Sequence, residues 1–166
     1  MIDTMILQWG LFDKIFPNTR ISPNTNIQSV TDVKAWIEEC TQRKDRLLLS
    51  TIVVGQALVA QPIEIHEELL KGLQKFFPVY PYNDVASRRF AELHIAHIKD
   101  NKQILNEIKA NSSRPDQSIK IDMMVLGHAI ATKVDAFYTC NDKEIRKLAK
   151  DKIEVRYPKP NQPTLF

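Results

Sequence analysis

Apolar positions along this chain alternate between short continuous runs and helical stripes. Residues 5–12 form a first apolar element ending near Gly10. Val33, Ile37 and Cys40 recur at helical spacing, which predicts a helix over 32–43, capped by Thr31, with one buried face. Residues 46–50 read as a short buried strand. A turn at Ser50-Thr51 leads into an apolar helix over 51–60 whose interior holds one polar residue, Gln56. Pro62 opens the next helix, with Ile65, Leu69 and Leu73 along its face. Residues 76–81 read as an edge-like strand, because Pro78 and Pro81 cannot donate to a ladder. Asn83 or Asp84 then caps a helix striped by Ala86, Phe90, Leu93 and His97. The polar run 99–102 breaks that stripe, and a shorter helix carries Ile104, Leu105 and Ile108. Residues 17–26 and 111–117 are rich in turn formers and read as loops. An apolar helix containing Asp122 follows, with Asp122 near its start. After it come a strand at 136–139, a helix opening at Asn141-Asp142 and a last strand at 153–155.

Strands that alternate with helices predict an α/β protein: a mainly parallel sheet flanked by helices on both faces. In such sheets, sites lie beyond the carboxyl ends of the strands. The 166 residues suit one domain over 1–156, followed by a proline-rich tail over 157–166. An apolar share of 43% and a charged share of 26% describe an ordinary globular chain, and the net charge of +3 is too mild to identify an anionic partner. Cys40 and Cys140 form no CxxC motif, which agrees with a reduced, cytoplasmic protein. Asp3 interrupts any leader-like start, and the apolar run 47–60 is too short and too polar to span a membrane.

The candidate chemistry lies in the acids. Asp3 sits at the carboxyl end of the first short apolar run. Asp122 sits in a helix whose neighbours Met123, Met124, Val125 and Leu126 are all apolar. A carboxylate so placed needs a partner or a cation. Asp142 follows the strand at 136–139. Its position in the first turn of a helix also suits the helix dipole, and Asn141 with Glu144 three residues on has the form of a capping box. If the strands are neighbours, Asp3, Asp122 and Asp142 meet in one crevice. Converging carboxylates are relieved by a hard divalent cation, Mg²⁺ or Mn²⁺, which can activate water against a phosphodiester.

The order of these motifs resembles the PIN-domain ribonucleases, the fold of VapC-type toxins. Asp3-Thr4 is similar to the family's opening motif, and Ser50 to Gln56 is similar to its S-x-x-x-x-x-E segment. The helix beginning Asp122-Met123-Met124-Val125, and Thr139-Cys140-Asn141-Asp142 as a close variant of T-x-D, complete a likeness that covers most of the chain. The resemblance implies a five-stranded parallel sheet, an acidic cluster binding Mg²⁺ or Mn²⁺, and single-stranded RNA as substrate. It also implies a homodimer and a protein antitoxin covering the site. Asp3, Gln56, Asp122 and Asp142 would be the catalytic set, with Asp3, Asp122 and Asp142 on the metal. The family has a glutamate where this chain has Gln56. An amide keeps one carbonyl ligand but removes a negative charge, so this form is either a naturally weakened member or one changed from Glu to Gln.

Two other readings compete. A non-catalytic PIN module binding RNA or a protein partner would explain Gln56. A receiver-like or phosphatase domain would need an early acid pair that Asp3 alone does not supply. His94 and His97 share a helix face but have no third ligand nearby. His128 reads as a hydrogen-bonded core histidine. Arg88, Arg89, Lys143, Arg146, Lys147, Lys150 and Lys152 read as a solvated, ion-paired surface, with phosphate contact as the alternative. Ser50 and Thr139 either orient the acids or cap helices.

Overall fold

The computed structural model describes residues 1–10, 27–100, 102–112 and 115–160. The expected loop over 17–26, the end of the first apolar element and most of the C-terminal tail lie outside the described residues.

Among the described residues the protein is predominantly helical. Its α-helices are α1 (Thr4–Gly10), α2 (Ile27–Arg43), α3 (Thr51–Val59), α4 (His66–Phe76), α5 (Asp84–Lys99), α6 (Gln103–Ser112), α7 (Asp116–Ala131) and α8 (Asp142–Ala149). The extended segments are two residues each: β1 (Leu49–Ser50), β2 (Val79–Tyr80), β3 (Phe137–Tyr138) and β4 (Val155–Arg156). The expected five-stranded sheet is not formed, and this corrects the α/β assignment. Instead β1 pairs with β2 and β3 with β4, in two separate parallel ladders. The first apolar run adds only a bridge from Ile2 to Tyr138. Hydrogen bonds from Ile2 N to Leu48 O (3.1 Å) and from Asp3 N to Tyr138 O (3.1 Å) tie it to both ladders.

The strands are short because helices begin immediately after them. Thr4 starts α1 two residues after Ile2, and Thr51 starts α3 directly after Ser50. Ser50 is the N-cap of α3, with its hydroxyl accepting from Ile52 N at 3.2 Å. Asn83 caps α5 by accepting from Ala86 N at 3.0 Å. Three helix starts differ from expectation. α2 begins at Ile27 rather than residue 32, a 3-10 turn over Ile63–Ile65 follows Pro62 so that α4 begins only at His66, and α7 begins at Asp116, which places Asp122 mid-helix. Val33, Ile37 and Cys40 on α2, Leu69 and Leu73 on α4, and Ala86, Leu93 and His97 on α5 are buried as expected, whereas Ile65 and Phe90 are only half-buried.

The core joins Ile2, Ile6, Leu7, Leu49, Leu126 and Leu148. α5 and α7 share the most extensive helix contact, and Gly127 lets the two backbones meet there. Lys44, Lys102, Lys133 and Lys150 adopt positive φ at or just beyond the ends of α2, α5, α7 and α8, whereas none of the described glycines does. Among the described residues no helix is long and apolar enough to cross a membrane.

Ser50 also makes a buried 2.7 Å hydrogen bond with Nδ1 of His128, which is itself buried. The same hydroxyl accepts from Ile52 N, so Ser50 ties the start of α3 to the histidine on α7. Burial pulls the imidazole below its ordinary pKa, so His128 is a neutral core histidine. Ser50→Ala removes a cap and leaves Nδ1 without this partner. We expect a loss of about 1–3 kcal/mol, read as a lower urea midpoint with an unchanged slope.

Candidate active site

One cavity of about 510 Å³ gathers most of the predicted site. Asp3 reaches it from the end of the first extended segment, Gln56 from α3, and Asp122 from the middle of α7. Thr4, Thr139, Cys140, Asn141 and Glu144 complete its polar lining. Acids separated by more than a hundred residues in sequence therefore share one enclosure.

Asp142 does not line it. On α8 each residue turns about 100° from the last, so Asn141 and Glu144 share a face while Asp142 is carried to another. Asp142 lies 3.3 Å from Arg146 one turn on. Glu144 is the acid the sequence reading missed. Its signal was the spacing from Asn141, which read as a capping box. Asn141 makes no side-chain cap; its amide donates to Glu144 Oε2 at 2.8 Å inside the cavity.

Asp3 is held tightly. Its Oδ1 accepts from Ile6 N at 3.0 Å, and the Thr139 hydroxyl donates to the carboxylate. Burial nevertheless pushes the carboxyl up to about 6, and the negative field of Asp122 adds to the rise. The hydrogen bonds from Thr139 and from the Ile6 and Met5 amides act against it but do not restore the ordinary value. Thr139 thus orients an acid, as one sequence reading had it, and also accepts from Asn141 N at 3.0 Å. Thr4 donates its hydroxyl to Gln56 Oε1 at 2.6 Å, which fixes the amide and turns its NH₂ away from Thr4. Cys140 is no nucleophile here, because burial and then the charges of Asp3 and Asp142 push its thiol up to about 12.

Apart from the Cys140 thiol, the polar side chains lining the cavity offer oxygen, which suits a hard cation. Among the described residues, however, no group of three His, Cys, Asp or Glu is close enough together to hold a metal. Magnesium commonly retains several waters and takes only one or two carboxylates from the protein. The Asp3–Asp122 pair, mutually repelling and enclosed, fits that smaller demand. Glu144 and the amides of Gln56 and Asn141 stand around it as further oxygen donors.

The other candidates are structural. His97 Nε2 donates to Leu148 O at 3.0 Å, and burial lowers its pKa, whereas the ring of His94 stacks on Phe90. They do not form a zinc site. Of the candidate surface cations, Arg89 pairs with Glu92, Arg146 with Asp142, Lys147 with Glu107 and Lys150 with Asp100.

Compared with known proteins, the chain matches no family model and finds no match among curated proteins.

Proposed function

We propose that the protein is a metal-dependent ribonuclease acting through the Asp3–Asp122 cavity with Mg²⁺ or Mn²⁺. The supporting observation is the meeting of these two carboxylates from distant parts of the chain in one enclosure, close enough that Asp122 raises the pKa of Asp3. Asp3 and Asp122 would hold a divalent ion, which would supply charge to offset a phosphodiester and would ease the deprotonation of water. Thr139 and the Ile6 amide fix the direction of Asp3, so the carboxylate meets a cation without reorganising. Glu144 and Asn141 form the wall facing it. Gln56, held by Thr4, contributes a neutral oxygen where a charge would bind a cation better. The resemblance in motif order supports single-stranded RNA as substrate. It also supports a homodimeric toxin held by a protein antitoxin and acting in the cytoplasm.

A second reading, a module that binds RNA or a protein partner without cutting, is favoured by the same neutral Gln56. Calorimetry with Mn²⁺ and an RNA cleavage assay separate the two. Gln56→Glu is expected to take up Mn²⁺ saturably and to cleave single-stranded RNA or tRNA. Asp122→Ala in that background is expected to abolish both. Glu144→Gln should lower them by about 10–100-fold, and Asp142→Asn should leave them unchanged. A Gln56→Glu protein that neither binds Mn²⁺ nor cuts RNA would sink the catalytic reading. RNA binding that persists without metal would favour the module.

A further inference from the structure

A second hollow, remote in chemistry from the acids, opens among α5, α6 and α7. Its volume is about 160 Å³. Ile119 and Met123, both buried, lie beneath Ile98 and Leu105, and Ile98 is 43% exposed. Ile95, 50% exposed, lies one turn before Ile98 on the same helix. Apolar side chains of this size are left in contact with solvent beside a hollow they could help to fill.

The rim is basic. Lys102, Lys109 and Lys120 line the opening, and the only acid among the lining residues is Asp116, ion-paired with Lys109. Its bond to Lys109 first, and then the charges of Lys120 and Lys102, hold the Asp116 carboxyl below its usual range. One carboxylate therefore faces three cations, and the mouth keeps a net positive charge. Lys102 is placed there by its left-handed backbone, with its N–H donating to His97 O at 3.0 Å where α5 gives way to α6.

We propose that this hollow is a binding site for a small organic anion with an apolar body, of the aromatic or branched aliphatic carboxylate class. An apolar cavity of about 150 Å³ takes a ligand of benzene size. A ring or short branched chain would cover Ile98, Leu105 and Met123, and its carboxylate would meet Lys102 and Lys120 at the rim. The same shape would accept a phenylalanine side chain of an acidic peptide. The small volume, set among three helices, suits a free acid with a single ring or short branched chain better than an extended peptide.

Benzoate is the probe. Methyl NMR spectra of the full chain are expected to show saturable shifts at Ile98, Leu105, Ile119 and Met123. Benzyl alcohol, equal in body but uncharged, should bind more weakly. The double variant Lys102→Glu/Lys120→Glu should lose about tenfold or more in benzoate affinity with its thermal unfolding unchanged. Leu105→Trp, which fills the hollow, should abolish the shifts. Equal affinity for the alcohol, indifference to the charge reversal, or no saturable shift with benzoate would each overturn the proposal. So would tighter binding of a glutamate-flanked phenylalanine peptide than of benzoate, which would make the hollow a peptide-docking site.

Discussion

Gly127→Leu is expected to destabilise the protein by about 3 kcal/mol, the upper part of the range for overpacking a well-filled site. A Cβ on residue 127 would stand 2.6 Å from Phe90 N, 2.9 Å from Phe90 Cα and 3.1 Å from Ala86 O. These are backbone atoms of α5, and no side-chain rotation clears them. Either the helices separate or α5 distorts, and both changes loosen the protein's largest helix contact. Even Gly127→Ala carries most of the clash. Gly55 supplies the control. It lies inside α3, where an added Cβ meets nothing within 4 Å, so Gly55→Ala should stabilise by about 0.5–1 kcal/mol through helix propensity. Urea unfolding of the two alanine variants should move the midpoint in opposite directions. A Gly127→Ala protein as stable as the parent would show that α5 and α7 pack with slack.

Asp3→Asn is expected to stabilise the protein at neutral pH while removing its capacity for metal. The Asp3 carboxyl is raised from 3.8 to about 6 in the folded state, so folding favours its protonated form. Its favourable contribution is therefore present below pH 3.8 and is lost as the pH rises through about 6. At pH 8 the ionised, buried carboxylate opposes folding by about 3 kcal/mol, at about 1.36 kcal/mol for each pH unit between the two values. An asparagine keeps the shape and an acceptor for Ile6 N but carries no charge. The variant should match the parent near pH 4 and exceed it increasingly from pH 5 to pH 8. Added Mn²⁺ should then reverse the order, raising the Tm of the parent but not of the variant. Thermal melts across pH, with and without Mn²⁺, measure both effects. Parallel stability curves for the two proteins would mean that Asp3 is solvated rather than strained.

Much of the helical layout could be read from the residues. Val33, Ile37 and Cys40 mark a buried face by spacing alone, and Asn83 caps where a capping residue stood before an apolar stripe. The sheet could not. Apolar runs at 46–50 and 136–139 have strand composition, but a run does not show where the next helix begins. Ser50 ends its strand by capping α3, and Thr4 starts α1 almost at once, so the ladders stop after two pairs. The site was legible in its distant members, because Asp3 and Asp122 stood out against apolar neighbours. Its local member is placed differently, since Glu144 lines the cavity and Asp142 does not. Choosing between Asp142 and Glu144 requires the rotation of α8 about its axis, and a two-residue strand does not fix that from sequence. The basic-rimmed hollow left no signal, because its lysines come from three segments whose packing no local pattern encodes.

The left-handed lysines at helix ends bear on the denatured ensemble as much as on the native fold. An L-residue in that conformation costs about 1–2 kcal/mol, which glycine would avoid. A glycine there would also widen the range of conformations open to the unfolded chain, by about 0.4–1 kcal/mol at each position. With only four glycines in 166 residues, the chain accepts local strain in exchange for a less expansive unfolded state. Glycine at Lys44, Lys102, Lys133 or Lys150 would therefore relieve less than the backbone angles alone suggest.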